Sequence, residues 1–278
     1  MSSYEQYGST SQHYDLTRRP VGAEIILGVL AAGERALAQL EVLDAGCGTG
    51  AYLQALLPSV ARVTGLDGSE GMLARAAEKL GDAADGERAV LTSGELSALP
   101  FDAASFDAVM INQVLHHLPD DASAGWPQHR AVLSELRRVL QPGGTLVVTT
   151  CGQEQLRHGY WYYELIRSAA EALRQRYIPL PLLAELLGEL GMVDIRRFVP
   201  LDAVVQGDAY FDALGPLDPR WRDGDSVWAL AADDERDAAV ARLRGLADRD
   251  EATRFLQTHD SRRLELGQVT VLAARLGG

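Results

Sequence analysis

The 278-residue sequence predicts an α/β protein built on a doubly wound, mostly parallel sheet of seven strands. Three observations predict it. Short apolar runs that read as buried strands alternate with stretches of helical period, which favours βαβ units with helices on both faces of a sheet. A glycine-rich turn directly follows the first of those runs. Hydrophobic residues make up 47% of the chain and charged residues 23%, the balance of a protein with a real core.

Taken in order, the first 39 residues read as helical. Ile25, Ile26, Val29, Leu30, Leu37 and Leu40 recur at roughly helical spacing after Pro20, predicting a helical cap over residues 1–40. The core is expected over 41–151, with strands at 42–45, 63–66, 89–92, 106–111 and 145–150. The alternation then stalls. Residues 152–179 carry Tyr160, Trp161, Tyr162 and Tyr163 and read as an insertion with helix through Arg176. The core pattern resumes over 180–205, with an amphipathic helix at 180–190 stopped by Gly191 and a strand at 193–199. A second insertion over 206–264 holds Tyr210, Phe211, Trp221, Trp228 and a charged helix at 233–246, and the segment 265–278 supplies the last strand, 269–274.

Charge and composition exclude several classes of function. Lys plus Arg is 26 against 39 Asp plus Glu, a net charge of −13 that repels a phosphate backbone, so no nucleic-acid partner is expected. No run reaches the ~18 to 20 apolar residues of a membrane span, and residues 1–10 lack a basic-then-apolar leader, so a cytoplasmic protein without membrane attachment is expected. Cys47 and Cys151 read as free thiols in such a compartment. Basic residues are almost all Arg, with Lys79 the only lysine, and Ala is abundant, which looks like the coding bias of a GC-rich, bacterial genome.

The turn Asp44-Ala45-Gly46-Cys47-Gly48-Thr49-Gly50 sits where the first strand passes into a helix. Glycines let the chain bend sharply and let a ligand approach the main chain. An acid just ahead of them would repel a phosphate at this position but would welcome a cationic amino-acid group. The second strand ends in Gly65-Leu66-Asp67, and a carboxylate at this point of a doubly wound fold accepts hydrogen bonds from ribose hydroxyls.

Asp44, Gly46, Gly48 and Gly50 are similar to the D-x-G-x-G-x-G motif of class I S-adenosylmethionine-dependent methyltransferases, and Asp67 resembles their ribose-binding acid. Gly94-Glu95-Leu96-Ser97-Ala98-Leu99-Pro100-Phe101 is similar to the family's G-D-x-x-x-L-P-F, in which the acid meets the adenine amino group, with Glu95 in place of the usual Asp. Phe106-Asp107-Ala108-Val109 and the run from Leu136 to Gly144 complete four ordered motifs. The likeness is strongest over about 41–146 and points to the type found in ubiquinone and menaquinone biosynthesis, which also includes many natural-product enzymes. It implies a Rossmann-like methyltransferase fold that binds S-adenosyl-L-methionine and releases S-adenosyl-L-homocysteine. It also implies cofactor contacts from Cys47, Gly68, Met72, Leu96, Asn112 and His117, and from Tyr14 and Arg19 in an N-terminal segment that lies over the cofactor in many relatives.

The fourth strand runs into Asn112-Gln113-Val114-Leu115-His116-His117, placing two histidines beyond the carboxyl edge of the sheet, where open α/β folds bind ligands. Either His116 or His117 is a candidate base for an attacking hydroxyl or amine, although an H-H pair is frequent at this point of such enzymes, where one member simply packs. No metal site is expected, because the histidines are adjacent rather than one helical turn apart and no carboxylate cluster accompanies them. In the family the two aromatic insertions imply a substrate lid, with Tyr160, Tyr163, Tyr210 and Trp228 as candidate substrate contacts; a second small core is the alternative for the same residues. The expected activity is methyl transfer to O, N or C of a small, secondary-type metabolite, by a monomer or a homodimer. A non-methylating reaction such as cyclisation on the same fold, or a regulatory binding protein without turnover, are the alternatives.

Overall fold

The computed structural model describes residues 18–84 and 87–277. Seven strands form one sheet in the order β3-β2-β1-β4-β5-β7-β6. β1 (Glu41–Ala45), β2 (Arg62–Asp67), β3 (Ala89–Ser93), β4 (Phe106–Asn112) and β5 (Leu140–Thr150) pair in parallel, whereas β7 (Thr270–Leu276) runs antiparallel to both β5 and β6 (Met192–Phe198). The strand order reverses between β1 and β4, so their carboxyl ends flank a crevice, the position at which folds of this type bind ligands.

Every residue of β4 is buried, as a strand covered on both faces requires. Leu43, Leu66, Val109, Ile111, Leu146 and Val148 pack on one face beneath α4 (Pro127–Val139) and α7 (Leu180–Glu189). Val42, Val63, Ala108, Met110, Val147 and Val271 pack on the other beneath α1 (Ala23–Ala31) and α2 (Ala51–Leu56). The period of two in each strand produces that division. α3 (Glu70–Leu80) follows β2, with Ser69 capping its first turn through a 3.4 Å bond from the Met72 amide.

Two expectations change. Among the described residues of the expected cap, 18–40, helix is confined to α1 and a short 3₁₀ turn at Leu37–Gln39, because Gly22 (φ 85°) and Gly33 bracket α1 and residues 32–36 leave the helix; residues 1–17, Tyr14 included, lie outside the described residues. β5 begins five residues earlier than expected, since Leu140 pairs with Phe106 before an irregularity restores register at Ala108 and Thr145.

The two aromatic insertions do not stand apart. The first forms α5 (Gln153–His158), a 3₁₀ turn at Trp161–Leu165 and α6 (Arg167–Arg176); the second forms 3₁₀ turns at Gly207–Phe211 and Gly215–Leu217, then α8 (Pro219–Asp223), α9 (Ser226–Leu230), α10 (Asp233–Asp248) and α11 (Ala252–His259), followed by α12 (Arg263–Leu266). Both share one core in which Trp161, Tyr162, Tyr210, Val227 and Leu243 are fully buried. Trp161 donates to the Tyr210 carbonyl at 2.9 Å and Trp221 to the Ala209 carbonyl at 2.9 Å, so the large rings bury their area while their N–H groups stay bonded.

Candidate functional site

The turn after β1 is held by its own backbone. The amides of Gly46 and Cys47 donate to the Leu66 carbonyl at 2.7 and 2.9 Å, which ties the turn to the end of β2. Gly46 (φ 81°) has no room for a side chain, since a Cβ there would lie 2.6 Å from Val114 Cγ2. Gly48 (φ 52°) faces open space, with nothing within 4 Å of a Cβ position. One glycine permits packing and the other leaves main chain bare.

Two carboxylates flank that bare segment. Asp67 accepts from the Gly48 amide at 2.9 Å through Oδ2 and from the Ser69 amide at 2.9 Å through Oδ1, which fixes its plane at the crevice; burial pushes its carboxyl above the usual range against those bonds. Asp44 is only 1% exposed and accepts from Asn112 Nδ2 at 3.0 Å. Burial pushes it up to about 7, the Asn112 bond opposing and the Asp67 charge adding. Around neutrality Asp44 is therefore near its midpoint and favours a cation beside it. The Cys47 thiol, buried and beside both carboxylates, is pushed far up and stays protonated.

Glu95 is exposed beyond β3, in a turn closed by the Ala98 amide on the Glu95 carbonyl at 3.2 Å. Its loop is clamped from behind: Arg138 donates to the Leu99 and Phe101 carbonyls at 2.9 and 2.8 Å, and Glu135 accepts from the Leu99 amide at 2.9 Å. Gly68 is exposed at the mouth of the crevice, Leu96 is half-buried against the core, and Met72 is buried, so Met72 acts through packing of α3.

Beyond β4 the chain turns sharply. Gln113 takes φ 55°, a strained value for a residue with a Cβ, before the 3₁₀ turn Leu115–His117. His116 is buried and stacks on Tyr177 with centroids 4.4 Å apart and planes 10° apart, while His117 is half-buried. Burial, the His117 ring and the Arg18 and Arg176 charges push His116 well down; burial with the same two arginines takes His117 to about 3. Both rings are neutral at physiological pH.

Gln113, His116, His117 and Tyr177 line one cleft, of about 450 Å³ of atom-free space when the open solvent at its mouth is counted. Tyr160, Tyr163, Arg18, Val205, Asp225 and Ser226 also line it. Tyr160 and Tyr163 stack at 4.7 Å, and Tyr177 donates to Gln113 Oε1 at 3.3 Å. Tyr160 and Tyr163 thus reach the cleft. Tyr210 and Trp228 do not: Tyr210 is fully buried against Trp161 and bonded to Asp260, and Trp228 is 3% exposed in the insertion core.

Of the two N-terminal arginines the structure turns the other one inward. Arg19 lies against Gly207, whereas Arg18 lines the cleft and pairs with Asp225 at 3.4 Å. Asp225 also receives Gln206 Nε2 at 2.8 Å and the Tyr162 hydroxyl. Sequence reasoning offered one arginine of the Arg18-Arg19 pair and named Arg19, and it missed Gln113 and Tyr177. Gln113 had a signal, its place between the β4 terminus and the histidine pair; Tyr177 had none. Among the described residues no group of three or more His, Cys, Asp and Glu side chains is placed to hold a metal ion, and no helix is long and apolar enough to cross a membrane.

Comparison with known proteins places this geometry. Residues 43–148 match the family model described as a methyltransferase domain. A stretch of 190 residues is 33% identical to a malonyl-[acyl-carrier protein] O-methyltransferase of Erwinia pyrifoliae, covering 66% of this chain and 62% of that protein. Another of 120 residues is 38% identical to a demethylmenaquinone methyltransferase of Staphylococcus aureus, covering 42% of this chain and 45% of the relative. The chain therefore spans less than two thirds of the length of these curated relatives. A solved candidate methyltransferase from an antibiotic biosynthesis pathway of Anabaena variabilis shares the fold over 91% of this chain and 96% of its own, with a TM-score of 0.70 at 19% identity. With the motifs on the strand ends where such a fold binds its ligand, residues 43–148 form a methyltransferase domain similar to those of class I S-adenosylmethionine-dependent methyltransferases.

Proposed function

We propose that this protein transfers a methyl group from S-adenosylmethionine to O, N or C of a small metabolite held in the cleft beside His116 and His117. One observation carries the reading: the bare main chain at Gly48 lies between two carboxylates, with the Gly48 amide itself anchoring Asp67. The residues fit the cofactor. The open face at Gly48 admits a ligand against the backbone, Asp67 suits a ribose diol, Asp44 suits an ammonium group, and exposed Glu95 suits an exocyclic amine. When bound, the cofactor supplies a methyl carbon activated by a sulfonium and leaves as S-adenosylhomocysteine.

The chain's own contribution is positioning and exclusion of water. The stacked tyrosines and the His116–Tyr177 stack hold the acceptor between aromatic walls. His117, kept neutral, presents an imidazole that accepts a hydrogen bond from the acceptor's O–H or N–H and so orients it, the proton passing to solvent as the acceptor is methylated. A base held this far down contributes by orientation more than by proton affinity, so no activity limb near the ordinary histidine value is expected. Both the malonyl-[acyl-carrier protein] O-methyltransferase and the demethylmenaquinone methyltransferase names favour methyl transfer over other uses of the fold, and an acceptor from secondary metabolism agrees with the aromatic cleft.

Titration calorimetry with S-adenosylmethionine and S-adenosylhomocysteine tests the cofactor, and formation of S-adenosylhomocysteine with candidate acceptors tests the reaction. Micromolar binding that Asp67→Ala weakens about 100-fold, followed by turnover, is the expected result. Absence of binding to either compound rejects the function.

A further inference from the structure

Three polar side chains lie in a row across three neighbouring strands at the floor of the crevice. Asp44 follows Val42 on β1, Asn112 follows Met110 on β4 and Thr149 follows Val147 on β5, so the period of two points all three to the face that α1 and α2 cover. Asn112 and Thr149 are register partners, and Asp44 pairs with Met110. Thr149 Oγ1 donates to Asn112 Oδ1 at 2.7 Å, and Asn112 Nδ2 donates to Asp44 Oδ1 at 3.0 Å. All three residues are buried, at 1%, 7% and 1% exposure for Thr149, Asn112 and Asp44.

The direction of this chain is fixed by chemistry. An ionised carboxylate only accepts, so while Asp44 is charged the amide presents its NH₂ group to it and its oxygen to the Thr149 hydroxyl, which then donates. Donation to the oxygen also polarises the amide and strengthens the N–H···O bond beyond it, an effect that a low dielectric preserves. We infer that Thr149 is a positioning residue for the cofactor site, acting through Asn112 to keep Asp44 ionised and ready to receive the ammonium group of the ligand. Thr149 sits two strands from Asp44 and acts on it only through the amide. The inference rests on the proposed cofactor reading for its purpose, while the proton chemistry belongs to the protein alone.

The groups that bear on Asp44 set the expected pH behaviour. Among the described residues these are Asp67 at the end of β2, which opposes ionisation, the protonated Cys47 thiol on the turn, and Asn112 on β4, which favours it. With a midpoint about 7, half of Asp44 is ionised at neutral pH. Removing the Thr149 hydroxyl frees the amide oxygen and weakens the Asn112–Asp44 bond beyond it, which on this inference raises that midpoint by about one unit and leaves about a tenth ionised at pH 7.

The test is the affinity for S-adenosylhomocysteine from pH 6 to 9 in wild type, Thr149→Val and Thr149→Ser. Valine is isosteric with threonine and keeps the strand packed. The expected result is binding about fivefold weaker in Thr149→Val at pH 7, converging to within about twofold at pH 9, with Thr149→Ser restoring the wild-type profile. The ligand's own amine titrates identically in all three proteins and cancels in the ratios. A uniform loss at every pH, no loss, or a serine variant that behaves like valine overturns the inference. Titration of the Asn112 side-chain amide by NMR in the unliganded protein, assigned by its disappearance in Asn112→Ala, separates the two levels. Should wild type bind no ligand, the proposed function falls, and the relay stands if the amide midpoint rises in Thr149→Val and falls if it does not.

Discussion

The glycine turn and the aromatic insertions use conspicuous residues for opposite ends. In the turn, Gly46, Gly48, Asp44 and Asp67 act through backbone shape and charge, and their spacing predicts where they stand. The ten aromatics of the insertions divide by fold rather than by type: Tyr160, Tyr163 and Tyr177 reach the cleft, Trp161, Tyr162 and Tyr210 have no exposure at all, and Phe211 is exposed. A residue that works through its main chain is legible one position at a time. A residue that works through its side chain needs a neighbour, and the neighbour is a product of the fold.

The largest effect that would break this contrast lies in the insertion core. Trp161→Ala removes a fully buried indole and its bond to the Tyr210 carbonyl, and is expected to lower unfolding stability by about 3 to 5 kcal/mol in urea titration while the surviving folded protein keeps its cofactor affinity. A comparable loss of affinity would show that the aromatic core is part of the cofactor site. Next come the two glycines. Gly46→Ala meets Val114 at a positive φ and should lose about 2 to 4 kcal/mol of stability, whereas Gly48→Ala should lose about 1 kcal/mol yet abolish detectable cofactor binding. Equal behaviour of the two in melting and calorimetry would dissolve the distinction between packing and ligand approach.

A third test concerns Asp67. Asp67→Ala removes an acceptor held by the Gly48 and Ser69 amides and is expected to weaken S-adenosylhomocysteine about 100-fold, with little change in stability. The smallest effect is a slope. Asp44 has its folded value raised to about 7, so the unfolded chain releases this proton at lower pH than the folded one. Stability should therefore fall as pH rises from about 4 to about 7, by about 1.4 kcal/mol per unit at most, and Asp44→Asn should flatten that decline in denaturation curves measured across the window. An unchanged slope would mean that Asp44 is not the group that titrates there.

Much of the fold was legible. The apolar runs at β2 and β4 leave little choice but strands covered on both faces, and Asp44 and Asp67 stand at strand ends because the turn that follows each is written in glycine. Other features were not legible for stated reasons. Arg18 and Arg19 are identical in type, and only the Arg19 amide bonding the Val205 carbonyl at 2.8 Å sets which side chain turns to the cleft. Tyr177 joins the site by stacking on His116 across 61 residues of chain, a separation no local pattern spans.

By itself the sequence determined the strand and helix alternation, the ligand turn with its two acids, and the histidines beyond β4, because each follows from local backbone preference and from the period of burial. Only the tertiary structure decided that the two insertions share a core, that Arg18 rather than Arg19 faces the cleft, and that Thr149, Asn112 and Asp44 join into one hydrogen-bonded row. Those outcomes depend on register and packing between segments distant in the chain, where a shift of one residue would send each side chain to the opposite face.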